Sequence, residues 1–423
     1  MIPDRARARA RPGGARPIDR GPSGRVPSGQ APADRPPTGS RTVPGRSGEE
    51  PEPLDVATLR AEAVERTGLT DFGPDSHAPA LDLLVTALNT EARLTPYGRA
   101  EARERLVSSL ATRLWLYGRP PPPVDEEIWN APVFIVGLPR TGSTLLHSLL
   151  ACHPGLRAPR LWELLSPLSP PGREAPELIE AAEAKVAEDL RAAPEPGRIH
   201  PTSARSPEEC EHLMNADFRN AVLGLISYRV PSYAAWLTEQ DLTTAYRLHR
   251  AQLRHVLARR PAPPGARLVL KSPSHIWHLP SLAAVYPDAR IIVLDREADA
   301  AVGSMCGPAL AARRKRSDDV DPREIGRQLT AAGELALARS RAFTAEPPAS
   351  TACLPVPFRE LADAPEATAE RVLAWLGLTE TDEVRRGWRA HLGQHPRPPR
   401  VHPRALCGLP PPDGPRPPSP SRP

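Results

Sequence analysis

Residues 1–53 carry almost no large apolar side chain; proline, glycine, serine and arginine fill the segment. Such a stretch buries too little surface to offset its ordering entropy, and we expect it to be disordered. Apolar periodicity begins near Leu54. Over 54–67, Val56, Leu59 and Val64 fall on one side at helical spacing. The segments 75–89 and 96–117 repeat the pattern. In the second, Leu106, Val107, Leu110 and Leu114 make an apolar side, and Glu101, Glu104 and Arg105 are expected to face away. The prolines of 120–124 then break the chain. We expect a small helical layer over 54–120, a main domain over 121–409 and a disordered tail over 410–423.

Beyond the prolines the pattern changes from periodic to continuous. Val133-Phe134-Ile135-Val136 is β-branched and aromatic throughout, as a strand buried on both faces would be. The stretch 143–150 reads as a helix with leucines one turn apart. Further strands are expected at 267–270 and 290–294. Helices are expected at 174–191, from 207 through 218, and at 242–257, 322–343 and 366–376. The prolines of 353–361 limit that segment to an irregular or edge strand. The aromatics of 230–237 suit ordinary core or a pocket wall.

Composition narrows the class. A chain of 423 residues holds one large or two ordinary domains. Its 56 prolines and frequent arginine and alanine suggest a biased coding background, which lowers the information in any single Arg. The +5 formal charge and pI near 9.1 suit an anionic ligand, but much of the basicity lies in the tails, so nucleic-acid binding is not expected. Five scattered cysteines without CxxC spacing argue against a disulfide framework or zinc site and suit a reducing, cytoplasmic setting. Cys210 and His212 have no partner spacing for a metal, and none is expected. The first ten residues lack the apolar core of a secretory signal. No run approaches the ~20 apolar residues of a membrane span.

The candidate chemistry begins after the first strand, at Gly137-Leu138-Pro139-Arg140-Thr141-Gly142-Ser143-Thr144. Strand, glycine loop and helix start make an anion cradle from backbone N–H groups and the helix dipole. The glycines have the spacing of G-x-x-x-x-G-K-(S/T), and Thr144 holds the hydroxyl place, but Ser143 stands where the lysine would be. The cation is Arg140, whose planar guanidinium can clamp two oxygens. This speaks against an ordinary ATPase or kinase.

The loop GLPRTGSTLL resembles the 5′-phosphosulfate loop of sulfotransferases that use 3′-phosphoadenosine 5′-phosphosulfate (PAPS). It is most similar to the branch with P-R-(S/T)-G-(S/T)-T, which includes bacterial and tyrosylprotein enzymes. Later segments resemble the same family in order. The resemblance implies a P-loop-like, three-layer α/β domain with a short parallel sheet. It implies that Arg140, Thr141, Gly142, Ser143 and Thr144 hold the phosphosulfate. In RLWELL it makes Glu163 the general base that takes the acceptor proton, with Glu208, Glu209 and Glu211 as alternatives. Lys271, at a strand end in KSPSH, is the stabiliser of the transition state and leaving oxygen. His275 and His278 are further candidate bases, though Pro273 stands where cytosolic members have histidine. Arg296 and Ser304 keep the spacing of the 3′-phosphate grip, in a segment that reads R-E-A where the family has R-(D/N)-P. Arg400, His402 and Arg404 faintly match a basic loop that closes over the nucleotide. The basic run 313–316 reads as a solvated loop or a site for an acidic substrate.

The expected activity is sulfuryl transfer from PAPS to a hydroxyl or amine, with no metal. The expected acceptor is a small molecule, glycan, lipid or peptide. Two rivals remain: a P-loop kinase using Asp295 to hold Mg²⁺, and a degenerate nucleotide-binding protein without transfer.

Overall fold

The computed structural model describes residues 52–168, 175–192, 202–394 and 407–408. The two expected tails lie almost wholly outside the described residues, as do Arg400, His402 and Arg404.

Five parallel strands form one sheet: β1 (Val133–Gly137), β2 (Leu156–Arg157), β3 (Arg267–Lys271), β4 (Arg290–Asp295) and β5 (Ala352–Pro357). Their order is β2-β3-β1-β4-β5. β1 is central, with Val133 opposite Val269 on one side and Arg290 on the other. All five of its residues are buried, as the unbroken apolar run predicts. β5 is an edge strand paired to β4 alone, where Pro355 and Pro357 cost the sheet little.

Alternation along the strands divides the interior into two layers. Val133 and Ile135, with Val269, Ile292, Leu294 and Val356, pack on Leu146, Leu149 and Leu150 of helix Ser143–Leu150 and on Val372, Leu373 and Trp388. Phe134 and Val136, with Leu268, Leu270 and Ile291, face the opposite way and join a cluster containing the amino-terminal helices. The fold is therefore the expected three-layer α/β arrangement. The helices Val56–Thr67, Ala78–Thr90 and Pro96–Tyr117 share this second core with the sheet, through Leu59, Leu84, Leu110 and Leu114 among others.

Several elements depart from expectation. The segment from 207 forms only a short helix, Glu211–Met214, followed by a 3₁₀ turn, Asn215–Asp217. The helix Asp382–Gln394 was not expected; its Trp388 indole donates to Leu149 O at 2.9 Å. The run 313–316 is partly structural rather than solvated. Arg313 is buried and donates to Gly224 O, Leu225 O and Gln328 Oε1, and Arg316 is buried against Glu101. Glu101 thus faces an ion pair rather than open solvent. Tyr233 of the aromatic segment 230–237 is core, its hydroxyl donating to Phe218 O at 2.6 Å.

Candidate active site

In a parallel sheet the residues after each strand gather at one edge, where open α/β folds hold ligands. Here β3, β1 and β4 are neighbours. The lysine that ends β3, the loop that follows β1 and the arginine that follows β4 are therefore set side by side. A cleft of about 1730 Å³ opens there. Its walls include Arg140, Gly142, Ser143, Thr144, Arg296 and Ser304.

The β1 loop has the conformation of an anion nest. Arg140 has φ 70° and Gly142 φ 85°, so two residues of the turn are left-handed just before the helix begins at Ser143. For arginine this is an uncommon region, of the kind that clusters at functional sites. At Gly142 a Cβ would also stand 2.9 Å from Leu361 Cδ2. Thr141 is buried and turns its hydroxyl back to Leu138 O at 2.8 Å, which braces the loop. Burial pushes the Arg140 guanidinium below its ordinary value, but arginine stays charged at neutral pH.

Arg296 donates to the carbonyl of Arg140, so the β4 cation lies against the β1 loop. Its guanidinium stands over the Phe358 ring, 4.2 Å from the centroid. Ser304 faces the same cleft from helix Ala298–Arg314 and donates to Ala301 O at 2.7 Å.

Lys271 is fully buried along its side chain. Its Nζ lies 3.4 Å from Thr144 Oγ1 and 2.6 Å from Glu209 Oε1. The lysine is thus held between the phosphate loop and a carboxylate; Thr144 and Glu209 line the cleft, while Lys271 itself lies just behind them and does not. The backbone arranges this: Cys210 N–H donates to Lys271 O at 2.8 Å and brings the preceding glutamate to the lysine.

Glu163 is placed otherwise. It is fully buried and is not among the cleft-lining residues. Arg157 Nη2 reaches Oε1 at 2.6 Å, and Arg260 reaches both oxygens at 2.9 and 3.0 Å. The backbone N–H of Arg160 donates to Oε2 at 2.7 Å, which caps helix Leu161–Leu165. Burial opposes the charge of Glu163, but the Arg260 hydrogen bonds and the charges of Arg157 and Arg260 prevail and hold the carboxyl below its ordinary value. A carboxylate whose two oxygens already receive four bonds is in poor position to take a proton in the cleft. In the structure Glu163 is a buried clamp joining Arg157, Arg260 and the Arg160 backbone.

The histidine alternatives also point inward. His275 is fully buried, with Nδ1 2.9 Å from Tyr246 Oη, and burial drives it well below its ordinary pKa. His278 is buried and lowered to about 4, again chiefly by burial. Neither lines the cleft. Glu211 accepts from Ser272 and Ser274 at 2.8 and 2.5 Å, and burial raises it to about 7. Arg160, Arg205, Arg341 and Arg359 also face the cleft. Nothing in the sequence marked them, because arginine is common throughout the chain.

A sequence model of the sulfotransferase family matches residues 132–383. Two solved structures resemble the chain over most of its length. Sulfotransferase STF1 from Mycobacterium tuberculosis is 28% identical, with a TM-score of 0.65, over 80% of this chain and 93% of that one. Sulfotransferase STF9 from Mycobacterium avium is 24% identical, with a TM-score of 0.70, over 83% of this chain and 91% of that one; at that identity the likeness is of fold alone. A search of curated protein sequences finds no match.

Proposed function

The chain belongs to the sulfotransferase family, and from that premise we propose that it transfers a sulfuryl group from PAPS to a hydroxyl or amine of its acceptor. The observation that carries this reading is the meeting of three cations, Arg140, Lys271 and Arg296, at the carboxyl edge of three adjacent strands. A doubly phosphorylated nucleotide with a sulfate presents three anionic groups, and three fixed cations around a nest of amides suit it.

In this reading the loop amides, Arg140, Thr141, Gly142, Ser143 and Thr144 hold the 5′-phosphosulfate. Arg296 and Ser304 hold the 3′-phosphate. The acceptor oxygen attacks sulfur, and the bond from sulfur to the bridging phosphate oxygen breaks. Lys271 neutralises the charge that develops on that oxygen. The acceptor proton passes to a base, and the products are the sulfated acceptor and adenosine 3′,5′-bisphosphate. Glu209 suits the base better than Glu163: it faces the cleft with a carboxylate oxygen 2.6 Å from the lysine. Alignment and preorganised charge supply most of the acceleration.

Titration calorimetry with PAPS, adenosine 3′,5′-bisphosphate and ATP tests the donor. The expected result is binding of the first two, lost on Arg296→Ala. Binding of ATP with Mg²⁺-dependent hydrolysis, and no response to PAPS, would replace this reading with the kinase. Tight nucleotide binding without transfer to any acceptor would favour a binding protein.

A further inference from the structure

Behind the wall that carries Lys271, on the Phe134 side of the sheet, three side chains outside the transfer chemistry meet in the core. Cys210 precedes helix Glu211–Met214, His249 lies in helix Thr243–Arg259, and His275 lies in the 3₁₀ turn Pro273–Trp277. Each offers one ligand atom, and the three atoms lie within 4.8 Å of one another. All three residues are buried, and none lines the cleft.

The surroundings of the two rings point the same way. His249 Nδ1 is 2.9 Å from Tyr286 Oη, and His275 Nδ1 is 2.9 Å from Tyr246 Oη. Each Nε2 is buried and has no hydrogen-bond partner among the described residues. An unsatisfied buried polar atom costs about 1–3 kcal/mol; two of them beside one thiol is an expensive way to fill a core. Metal-bound histidines regularly give their other nitrogen to an outer partner that sets tautomer and orientation, and here tyrosines occupy that place. An Nδ1–H donated to tyrosine leaves the lone pair of Nε2 for a metal.

We propose that Cys210, His249 and His275 form a structural zinc site. One thiolate and two imidazoles supply three of the four tetrahedral positions zinc takes, the fourth falling to a water or hydroxide; the same three donors in a trigonal array would suit copper instead. Ligand atoms around tetrahedral zinc stand about 3.5 Å apart, so the set closes with shifts of about an ångström. On binding, the Cys210 thiol gives its proton to solvent as the sulfur–zinc bond forms, and no electron is transferred. The ion would join three segments distant in sequence. One of them holds Lys271 through the Cys210 N–H and places Glu209 beside it, so the metal would stiffen the wall that carries both.

The test uses the full chain, purified and dialysed against metal-free buffer. Elemental analysis is expected to find one equivalent of zinc, and replacement by Co²⁺ to give a thiolate-to-cobalt charge-transfer band. That band is expected to persist in Cys353→Ser and to vanish in Cys210→Ser. Should Cys210→Ser fail to fold, His249→Gln and the wild-type readings still decide. Zinc at buffer level after refolding with excess zinc, stoichiometric copper in place of zinc, or a band unchanged in the folded Cys210 variant would each overturn the proposal.

Discussion

Glutamine at Glu163 and glutamine at Glu209 should have opposite consequences. Glu163 is fully buried and receives bonds from Arg157, Arg260 and the Arg160 backbone. Removing its charge strands the buried guanidinium of Arg157. Breaking a buried ion pair costs ~3–5 kcal/mol. The Glu163→Gln side chain retains one acceptor, and Arg157 still donates to Ala158 O and Arg260 O, so the lower end, ~3 kcal/mol, is expected. With an unfolding entropy of about 0.7 kcal/mol/K for a domain of this size, the melting temperature should fall by roughly 4 °C. Turnover measured well below that temperature should stay within about tenfold of wild type. Glu209→Gln keeps an oxygen for Lys271 but removes the basicity. It should lower kcat/KM by about 10²–10⁴. Scanning calorimetry and the release of adenosine 3′,5′-bisphosphate from PAPS measure both. A Glu163→Gln protein that melts with wild type yet has lost turnover by ~10² or more would refute the clamp and restore Glu163 as base.

Glu101 sets a second test. Burial alone would raise its carboxyl, but the Arg316 hydrogen bond, the charges of Arg105 and Arg316 and the Tyr228 bond pull it down to about 2 from an ordinary 4.5. The folded value lies below the unfolded one, so its stabilisation is present above pH 4.5 and is lost as the pH falls from 4.5 toward 2. It amounts to about 3 kcal/mol. Glu101→Gln should lose that amount at pH 7 in urea unfolding and show a flatter acid limb; parallel limbs for variant and wild type would disprove the assignment. Gly142→Ala places a Cβ at a left-handed position close to Leu361, a strain of ~1–2 kcal/mol. PAPS affinity should fall by at least tenfold while the melting temperature drops by only about 1–3 °C; unchanged affinity would detach the loop from the donor.

What the sequence discloses follows the range of the forces involved. Strand Val133–Gly137 and helices Ser143–Leu150 and Pro96–Tyr117 are legible because each rests on its own apolar pattern. Helix Asp382–Gln394 carries Val384, Trp388 and Leu392 at i, i+4 and i+8 among charges, so its amphipathic stripe is also legible, though the partner it packs on is not. The environment of Glu163 depends on Arg260, 97 residues away, and that of Arg316 on Glu101, 215 residues away. No local pattern encodes such pairs. Cys210, His249 and His275 likewise become neighbours only through packing.

The same distinction separates the candidate cations, whose shared edge follows from position, from the candidate bases Glu163, Glu208, Glu209 and Glu211, among which position alone does not choose. A residue that directly follows a strand in a parallel sheet has its place set by topology: once β3, β1 and β4 are adjacent, Lys271, the Arg140 loop and Arg296 must share an edge. A residue on a connection has no such constraint. The chain from β2 to β3 runs through Glu163 and returns past Pro207, which bridges to Arg160. Of the carboxylates it carries among the described residues, the one that lines the cleft is the one tied to a strand end. That tie is a single backbone bond, Cys210 N–H to Lys271 O, and it brings Glu209 to the lysine while Glu163 stays beneath, held by two arginines.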